Sequence, residues 1–466
     1  MKDLFVSKLP FIPPEKVFAF LKKKDHFIWL DSCMELKNRF SVMAFEPFLI
    51  FSSKKKKISL HENGSEKLFE AEPLVVLEEL LSRYMIPRTS FFSPGALGYF
   101  AYDLGWQLEK LPDAAADDLS LPDIYLGFYQ SVILFDHGAK NIQVISANTG
   151  GLKKKDFENS CQKTADMLNK IGSMHQPGIG NSSLRIDKIT SNMGYPEYVK
   201  GVEKIRDYIT EGDVYQVNFA RRIEAEGVFP GDEIYLKLRS VNPTSFSAFF
   251  DAGNFQILSN SPELFVKKSG SRITTVPMKG TRPRGKNRKE DALLRKELLL
   301  SEKEKAELVM IVDLERNDIG RVCRFGSVRV KNLRRMEKYE TVFQTTSAIE
   351  GCLREEVSQA GLLRATFPGG SVTGAPKIRA MEIIEELEPC KRAFYTGSMG
   401  YVGFNGDMEL NLLIRTILLK DSRLYYPAGG GIVWDSVPDE EFRETQAKAE
   451  ALFLTLGAGH ENILSL

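Results

Sequence analysis

The amino-acid sequence predicts a protein of mixed α and β structure with more than one structural unit. Strand-like alternation of apolar and polar residues fills the first part of the chain, for example at 48–51 and 143–145. After about residue 190, well-marked helical patterns alternate with strands and Gly-rich turns. At roughly 100 to 200 residues per domain, the 466 residues correspond to about two to four units.

The front part contains two short helical patterns, near 15–23 and 73–84. Runs of lysine at 54–57 and 153–155 are interpreted as solvated turns or edge strands and receive no functional assignment. The polar stretch 172–192 is typical of a linker because it contains several Gly and Ser residues. It predicts a boundary between an N-terminal region, 1–175, and a second region, 190–466.

The second region begins with a predicted helix, followed by a strand at 214–219. Its helices have clear sequence signals at their starts and ends. Gly212 is expected to end the first helix, and Ser301 with Glu304 forms a capping-box pattern at the start of the second. Early prolines mark the start of the third and fourth. The four predicted helices are 197–211, 301 to about 314, 377 to about 387, and 437–456.

Composition excludes several classes of protein. The 63 Lys and Arg residues nearly cancel the 62 Asp and Glu residues, so the net charge of +1 favours neither a nucleic acid nor an acidic membrane as partner. A hydrophobic content of 43% and a charged content of 27% are typical of globular proteins. Because no stretch approaches the ~20 apolar residues of a membrane span, and the start lacks the apolar core of a secretory signal, we expect a cytoplasmic protein.

Cysteine and histidine restrict the chemistry further. The five cysteines are odd in number and form no C-x-x-C pair, which disfavours a disulfide framework and structural zinc. All five histidines lie outside the stretch 200–450: His26, His61, His137, His175 and His460. An active site in that stretch must therefore use Glu, Asp, Lys or Tyr as acid and base, without a Ser-His-Asp triad, a Cys-His pair or an H-E-x-x-H metal site.

Two predicted helices carry carboxylates at the same spacing. Glu304 and Glu307 lie three residues apart, as do Glu441 and Glu444, and Lys448 follows one turn later. This spacing places each pair on one helix face, where four carboxylates could converge on Mg²⁺. Each pair alone is also consistent with a solvated helix face, so the spacing does not decide between the two interpretations.

Two Gly-rich segments could approach a ligand with their backbone. Residues 368–377 lead directly into a helix, whose N-terminus favours an anion, here a carboxylate, since the P-loop spacing is missing. Residues 428–432 form either a second close-approach turn or a strand end with a bulge.

A basic segment, 279–286, follows a strand-like run at 273–277. It is either an exposed basic turn or the place where Lys279, at the end of a buried strand, acts as a nucleophile. The residues alone therefore indicate a Mg²⁺-dependent enzyme that acts on a small carboxylate.

Six motifs occur in a fixed order between about 195 and 455. They are 214–218 (VYQVN), 261–264 (SPEL), 279–285 (KGTRPRG), 313–320 (DLERNDIG), 373–377 (TGAPK) and 435–438 (DSVP). Together they resemble the chorismate-utilising enzyme family, which includes anthranilate, aminodeoxychorismate, isochorismate and salicylate synthases. The front part resembles the family more loosely, with LDS at 30–32. The resemblance implies an α+β fold in which two large, mostly antiparallel β-sheets pack as a sandwich with helices outside.

Two positions indicate a branch of the family. Members that use water have a Lys where this chain has Gln216, so the resemblance implies ammonia as the nucleophile. Anthranilate synthases typically have Ala where this chain has Lys279, whereas aminodeoxychorismate synthases have Lys. Residues 242–247 (NPTSFS) depart from the Pro-Ser-Pro-Tyr form of feedback-inhibited anthranilate synthases, so no tryptophan inhibitory site is expected.

The resemblance also implies roles for individual residues. Lys279 would attack C2 of chorismate as the C4 hydroxyl leaves with Glu263 as general acid, and ammonia would then add at C4, giving 4-amino-4-deoxychorismate. Mg²⁺ would be bound by Glu304, Glu307, Glu441 and Glu444. The expected substrate-binding residues are Gln216, Thr281, Ser371, Tyr395, Arg415, Gly429, Gly430 and Lys448. Gln344 replaces a His found in many relatives, and it cannot take a proton near neutral pH.

The ammonia is expected from a separate subunit. The chain has no Gly-x-Cys-x-Gly nucleophile turn, and the family region leaves no length for a glutaminase domain, so the expected partner is a glutamine amidotransferase subunit, aminodeoxychorismate synthase component II. Two alternatives to an aminodeoxychorismate-forming enzyme are anthranilate synthase component I and a chorismate-binding protein without catalysis.

Overall fold

Ten short strands lie in the described part of the first 150 residues of the computed structural model. The structure describes all residues except 1–3, 34–39, 63, 89–91, 150, 152, 176–183, 340–341 and 458–466, and the side chains of 454 and 455. The front strands are β1 (Leu4–Pro10), β2 (Ile28–Asp31), β3 (Phe40–Ala44), β4 (Leu49–Lys54), β5 (Lys57–Glu62), β6 (Ser65–Glu70), β7 (Gly95–Phe100), β8 (Ile124–Tyr129), β9 (Ser131–Asp136) and β10 (Asn141–Ala147).

The second region adds longer strands that pair with those of the front. They are β11 (Arg185–Ser191), β12 (Gln216–Val228), β13 (Phe246–Asp251), β14 (Phe255–Ser261), β15 (Leu264–Ser269), β16 (Arg272–Val276), β17 (Met278–Pro283), β18 (Arg329–Lys338), β19 (Val342–Cys352), β20 (Gly374–Ala375), β21 (Ser398–Gly403), β22 (Met408–Asn411), β23 (Thr416–Lys420) and β24 (Arg423–Ile432).

Ten α-helices and two 3-10 turns connect these strands in the described part of the chain. The helices are α1 (Pro14–Leu21), α2 (Pro73–Tyr84), α3 (Lys154–Ser173), α4 (Tyr195–Glu211), α5 (Gly231–Val241), α6 (Arg288–Leu300), α7 (Glu302–Gly320), α8 (Gln359–Thr366), α9 (Lys377–Leu387) and α10 (Pro438–Leu456). The 3-10 turns are Tyr102–Gln107 and Gly370–Val372.

The described strands form two 12-stranded sheets. The first sheet has the order β1-β10-β9-β3-β2-β13-β14-β23-β24-β12-β11, with β20 beside β12. The second has the order β17-β19-β16-β15-β22-β21-β7-β8-β4-β5-β6, with β18 beside β19. All pairs of these strands are antiparallel.

Apolar contacts place the two sheets face to face and the helices outside. One buried cluster joins Ile28 and Val42 of the first sheet to Leu97 and Tyr99 of the second. A second cluster packs α1, α3, α5 and α10 against the first sheet, and a third packs α2, α7 and α8 against the second. Burying one apolar face of each element in this way produces a layered sandwich. The predicted α+β sandwich is therefore confirmed.

Most of the predicted elements have the expected positions. The front helical patterns form α1 and α2, and Gly212 ends α4 with a left-handed φ of 88°. Lys55 and Lys56 form a turn between β4 and β5, as predicted, and Lys54 and Lys57 are the strand residues on either side of it. The prediction for 153–155 was wrong, because these exposed lysines start α3 instead of forming a turn or an edge strand.

Helix α7 differs from its prediction at both ends. It continues six residues past Leu314, because its buried face extends to Ile319. At its start the Ser301 hydroxyl accepts the N–H of Glu304 at 3.3 Å. The reciprocal half of the capping box is not formed, since the Ser301 N–H already bonds to the Glu297 carbonyl at 3.0 Å, at the end of α6.

The predicted linker is only partly covered by the structure. Residues 172–173 belong to α3 and Arg185–Ser191 form β11, while 176–183 lie outside the described residues. Each sheet contains strands from both predicted regions, so the two regions share their hydrophobic core. Separately, none of the described helices is both long and apolar enough to cross a membrane.

A buried carboxyl group ties α7 to the second sheet. The Thr275 hydroxyl of β16 donates a hydrogen bond to Glu315 of α7 at 2.6 Å. Burial raises the pKa of Glu315 to about 8, and the hydrogen bond from Thr275 opposes this rise. The neighbouring carboxylates of Glu263 and Asp318 raise the pKa further, while the charge of Lys377 lowers it. Glu315 is therefore expected to retain its proton in the folded protein near neutral pH.

Replacing Glu315 by Gln is expected to change how stability depends on pH. Between the ordinary Glu pKa of 4.5 and about 8, the native state holds a proton that the unfolded chain releases, so the free energy of unfolding falls as pH rises. Glu315→Gln should remove this contribution, so its stability relative to the wild type should increase from pH 5 to pH 8, as measured by urea unfolding. Glu302→Gln, at the exposed start of the same helix, is the control; equal pH dependence in both variants would contradict the prediction.

Candidate active site

Lys279 of the second sheet meets Gln216 and Gly431 of the first sheet. A Cβ atom added to Gly431 would lie 2.8 Å from Nε2 of Gln216 and 3.4 Å from Nζ of Lys279. Gln216 is fully buried, and its amide nitrogen and oxygen have no hydrogen-bond partner among the described residues. A larger residue at 431 would therefore fill the space between the amide and the lysine.

Glu263 lies on the connection between β14 of the first sheet and β15 of the second, and it is buried. Its Oε1 accepts hydrogen bonds from the Ser371 hydroxyl at 2.7 Å and from the Met278 N–H at 3.4 Å. Burial raises the pKa of Glu263 to about 7, although Ser371 and the charge of Lys279 oppose the rise. A carboxyl group with a pKa near 7 is suited to donate a proton at neutral pH.

Arg415 offers an unpaired cation close to Glu263. Its guanidinium forms no ion pair and no hydrogen bond within the described part of the chain, and its charge acts on the pKa of Glu263 and of Tyr426. Its backbone has a φ of 51°, a strained conformation for a residue with a side chain. Tyr395 is buried, and burial raises the pKa of its phenol. A free Arg fork is suited to bind a carboxylate.

The four predicted metal-binding glutamates come from α7 and α10 and are electrostatically coupled. A Cβ atom on Gly430 would lie 3.2 Å from Oε2 of Glu441 and 3.7 Å from Oε1 of Glu444. Burial raises the pKa of Glu307, and the charges of Glu304 and Glu441 add to the rise, against Lys279 and Lys303. The two helices therefore bring their carboxylates towards the same end of β24.

Three of these carboxylates have partners of their own. Glu304 pairs with Arg282 at 3.2 Å, Glu441 accepts a hydrogen bond from Ser436 at 2.7 Å, and Glu444 pairs with Lys448 at 2.6 Å. Burial would raise the pKa of Glu444, but Lys448 holds it below its usual value.

Within the described residues, no three His, Cys, Asp or Glu side chains are arranged to hold a metal ion. The oxygen donors fit Mg²⁺ chemically, provided that the carboxylates turn away from Arg282, Ser436 and Lys448 towards a shared ion.

The remaining predicted residues have contacts of their own. Lys448 donates a hydrogen bond to the Gly429 carbonyl at 2.8 Å. Gly429 lies so close to β12 that an added Cβ would be 2.5 Å from the Phe219 carbonyl. Residues 428–432 belong to β24 and pair with β12 in a continuous register, so they form neither a turn nor a bulge. Exposed Thr281 accepts a hydrogen bond from the amide nitrogen of the buried Gln344 at 3.2 Å.

The glycine-rich segment 368–377 has more structure than a loop that leads into a helix. It contains the 3-10 turn at Gly370–Val372, and β20 then pairs with β12 before α9 begins at Lys377. The turn places Ser371 against Glu263. Sequence reasoning missed the buried Glu315, although a glutamate on the same helix face as Leu308, Ile311 and Val312 is an available signal.

Comparison with known proteins identifies the family. A family model described as chorismate binding enzyme matches residues 25–454. Anthranilate synthase component 1 of Acetivibrio thermocellus is 38% identical over 425 residues, which cover 89% of this chain and 86% of the relative. Aminodeoxychorismate synthase component 1 of Bacillus subtilis strain 168 is 37% identical over 479 residues, with 98% and 97% coverage.

The crystal structure of anthranilate synthase component I from Streptococcus pneumoniae TIGR4 superimposes with a TM-score of 0.80 at 33% identity, and the match covers 89% of this chain and 92% of that one. The relatives carry two different activity names at nearly equal identity, so similarity resolves the family without resolving the reaction. Since the family model spans most of the sequence and the fold agrees, the chain belongs to the family of chorismate binding enzymes.

Proposed function

We propose that this chain is the chorismate-converting component of an aminodeoxychorismate synthase, which makes 4-amino-4-deoxychorismate, a precursor of 4-aminobenzoate and folate, from chorismate and ammonia. The observation that carries the proposal is the amine of Lys279, which has no hydrogen-bond or ion-pair partner among the described residues and lies beside the buried amide of Gln216. An amine in this position can act as a nucleophile, and a neutral amide beside it favours ammonia over an activated water.

In the first step, Nζ of Lys279 forms a bond to C2 of chorismate while both conjugated ring double bonds shift and the C4–O bond breaks. Glu263 donates its proton to the departing hydroxyl, which leaves as water. In the second step, ammonia forms a bond to C4 and the electron pair of the C2–N bond returns to Lys279. The Glu263 carboxylate then takes a proton from the new ammonium group. The enolpyruvyl group remains, and the net change is chorismate plus ammonia to product plus water.

The substrate carboxylates are assigned to the unpaired guanidinium of Arg415 together with the surrounding polar groups. Ser371 fixes Glu263 through its 2.7 Å hydrogen bond, and Tyr395 contributes a phenol that keeps its proton. Thr281, Gly429, Gly430 and Lys448 are assigned to the rest of the substrate site. Arg provides two parallel donors, which match the geometry of a carboxylate.

Mg²⁺ would be held by Glu304, Glu307, Glu441 and Glu444. When bound, it would clamp the ring carboxylate and draw electron density from the reacting ring. The chain's own contribution is to supply four carboxylates from two rigid helices whose repulsion a cation relieves.

The proposed partner is a separate glutamine amidotransferase subunit that supplies ammonia. The support is that the relatives are named component 1, which implies a second component. The sequence contains no Gly-x-Cys-x-Gly nucleophile turn of its own.

The product test uses the purified chain with chorismate, ammonium and Mg²⁺. We expect 4-amino-4-deoxychorismate by mass spectrometry and no pyruvate in a lactate dehydrogenase assay. Lys279→Ala should lower this activity at least about 100-fold because the covalent step is lost, whereas Lys286→Ala, at the exposed end of the same segment, should not. Anthranilate and pyruvate from the wild type would establish the alternative reaction, and full activity of Lys279→Ala would refute the covalent role.

The pH profile tests Glu263 as the acid. Because its pKa is raised to about 7 and only the protonated form donates, kcat/KM for chorismate should fall as pH rises through about 7 at constant free ammonia. Ser371→Ala removes a hydrogen bond that favours the carboxylate, so the fall should move to higher pH. Glu263→Gln should lose roughly 100-fold or more in kcat. An unchanged profile in Ser371→Ala would assign the titration to another group.

The metal requirement is tested with two neighbouring residues of α10. Glu441→Gln should raise the Mg²⁺ concentration for half-maximal activity at least about tenfold, because it removes a charged ligand. Glu440→Gln, an exposed neighbour with the same change in charge, should leave it unaltered. Chelation with EDTA should abolish activity reversibly, and equal effects of the two variants would exclude Glu441 as a ligand.

A further inference from the structure

Asn218 is a second buried amide near Lys279 whose side chain has no assigned role. It lies two residues after Gln216 on β12 and is 9% exposed. Its Oδ1 accepts no hydrogen bond from the described residues. A buried polar atom without a partner is costly in a folded protein, so its presence points to a ligand.

The strand register places this amide on the Lys279 face of β12. Asn218 is directly opposite Gly431 in the antiparallel pair with β24, and opposite residues share a face. On that face, a Cβ at Gly431 would point at Nε2 of Gln216 and Nζ of Lys279. The alternate residues Val217 and Phe219 are buried in the apolar cluster with α4 on the other face.

The backbone of Asn218 is firmly held, so only its side chain is available to a ligand. The Asn218 N–H donates to the Thr373 carbonyl at 2.7 Å, and its carbonyl accepts from Arg392 at 2.6 Å. The charge of Arg392 is neutralised by Glu388, which pairs with it at 2.6 Å. Both backbone groups of Asn218 are therefore hydrogen-bonded, and its side-chain Oδ1 remains as an acceptor held in a fixed position.

Neutral ammonia matches two acceptors, Oδ1 of Asn218 and Oε1 of Gln216, neither of which has a hydrogen-bond partner among the described residues. It has three N–H donors and one lone pair, and an amide oxygen accepts hydrogen bonds without taking a proton near neutral pH. Two accepting oxygens can orient two N–H groups and leave the lone pair free for attack on carbon. Neither amide brings a negative charge, which would favour bound ammonium and block the lone pair.

We propose that Asn218 and Gln216 together form the binding site for the attacking ammonia, with Oδ1 of Asn218 as the second acceptor. This inference rests on the proposed function, because it concerns the nucleophile of that reaction.

The test compares KM values for ammonium and for chorismate in two variants of the whole chain, assayed with chorismate, ammonium chloride and Mg²⁺. Asn218→Leu removes the acceptor while keeping the branching at Cγ and the number of non-hydrogen side-chain atoms, and Asn218→Ala is used if the leucine variant does not fold. Losing one hydrogen bond to a neutral ligand should raise KM for ammonium about tenfold, with KM for chorismate changed less than about twofold. Asn192→Ala removes a half-buried Asn beside the same strand, which accepts the Arg222 N–H at 2.7 Å, and should change neither value.

The outcomes separate this inference from the proposed function. An unchanged KM for ammonium in both Asn218 variants, or an equal rise in KM for chorismate, would overturn the ammonia site, the second result indicating a role in packing or substrate binding. A wild-type chain that forms no ammonium-dependent product would instead refute the proposed function. A rise confined to ammonium supports the site.

Discussion

The close approach of β24 to β12 at Gly429, Gly430 and Gly431 is the constraint on which the site depends. A side chain at any of the three positions would meet the backbone of β12, the carboxylates of α10, or the amide and amine of Gln216 and Lys279. Successive residues of a strand face opposite sides, so Gly430 leaves room for the carboxylates while Gly431 leaves room for the lysine. The glycines at the end of β24 thus lie between the proposed cation position on one face and the amine of Lys279 on the other.

The sequence predicts local features better than contacts between distant segments. Helix α4 and its end at Gly212 follow from local patterns, and the spacing of the glutamates follows from helix geometry. Only half of the predicted capping box forms at Ser301, because the N–H of Ser301 is already bonded at the end of α6. No local sequence pattern shows that α6 ends at this residue. The bond from Thr275 to Glu315 and the orphan oxygen of Asn218 depend on strand pairing over long sequence distances, so periodicity could not reveal them.

The near-neutral composition conceals two opposing local fields. Lys279 influences the pKa values of Glu263, Glu307 and Glu444, which places one cation between the proposed acid and the carboxylates from both helices. Arg415 adds a second cation close to Glu263. The net charge of +1 for the whole chain therefore gives no sign of this local arrangement, in which burial strengthens the interaction between charges.

Glu263 lies where the chain crosses from β14 of one sheet to β15 of the other, while Lys279 belongs only to the second sheet. The Met278 N–H bonds to the Glu263 carboxylate at 3.4 Å, so the second sheet holds the acid close to the residue before Lys279. How closely the Lys279 amine approaches Gln216 of the first sheet depends instead on how the two sheets pack. The neighbouring amides of Gln216 and Gln344 cannot carry protons, and the buried phenol of Tyr395 retains its own. The alignment of the two sheets therefore sets how closely the amine approaches the amide of Gln216, and substitutions in the shared core would alter the site without contacting it.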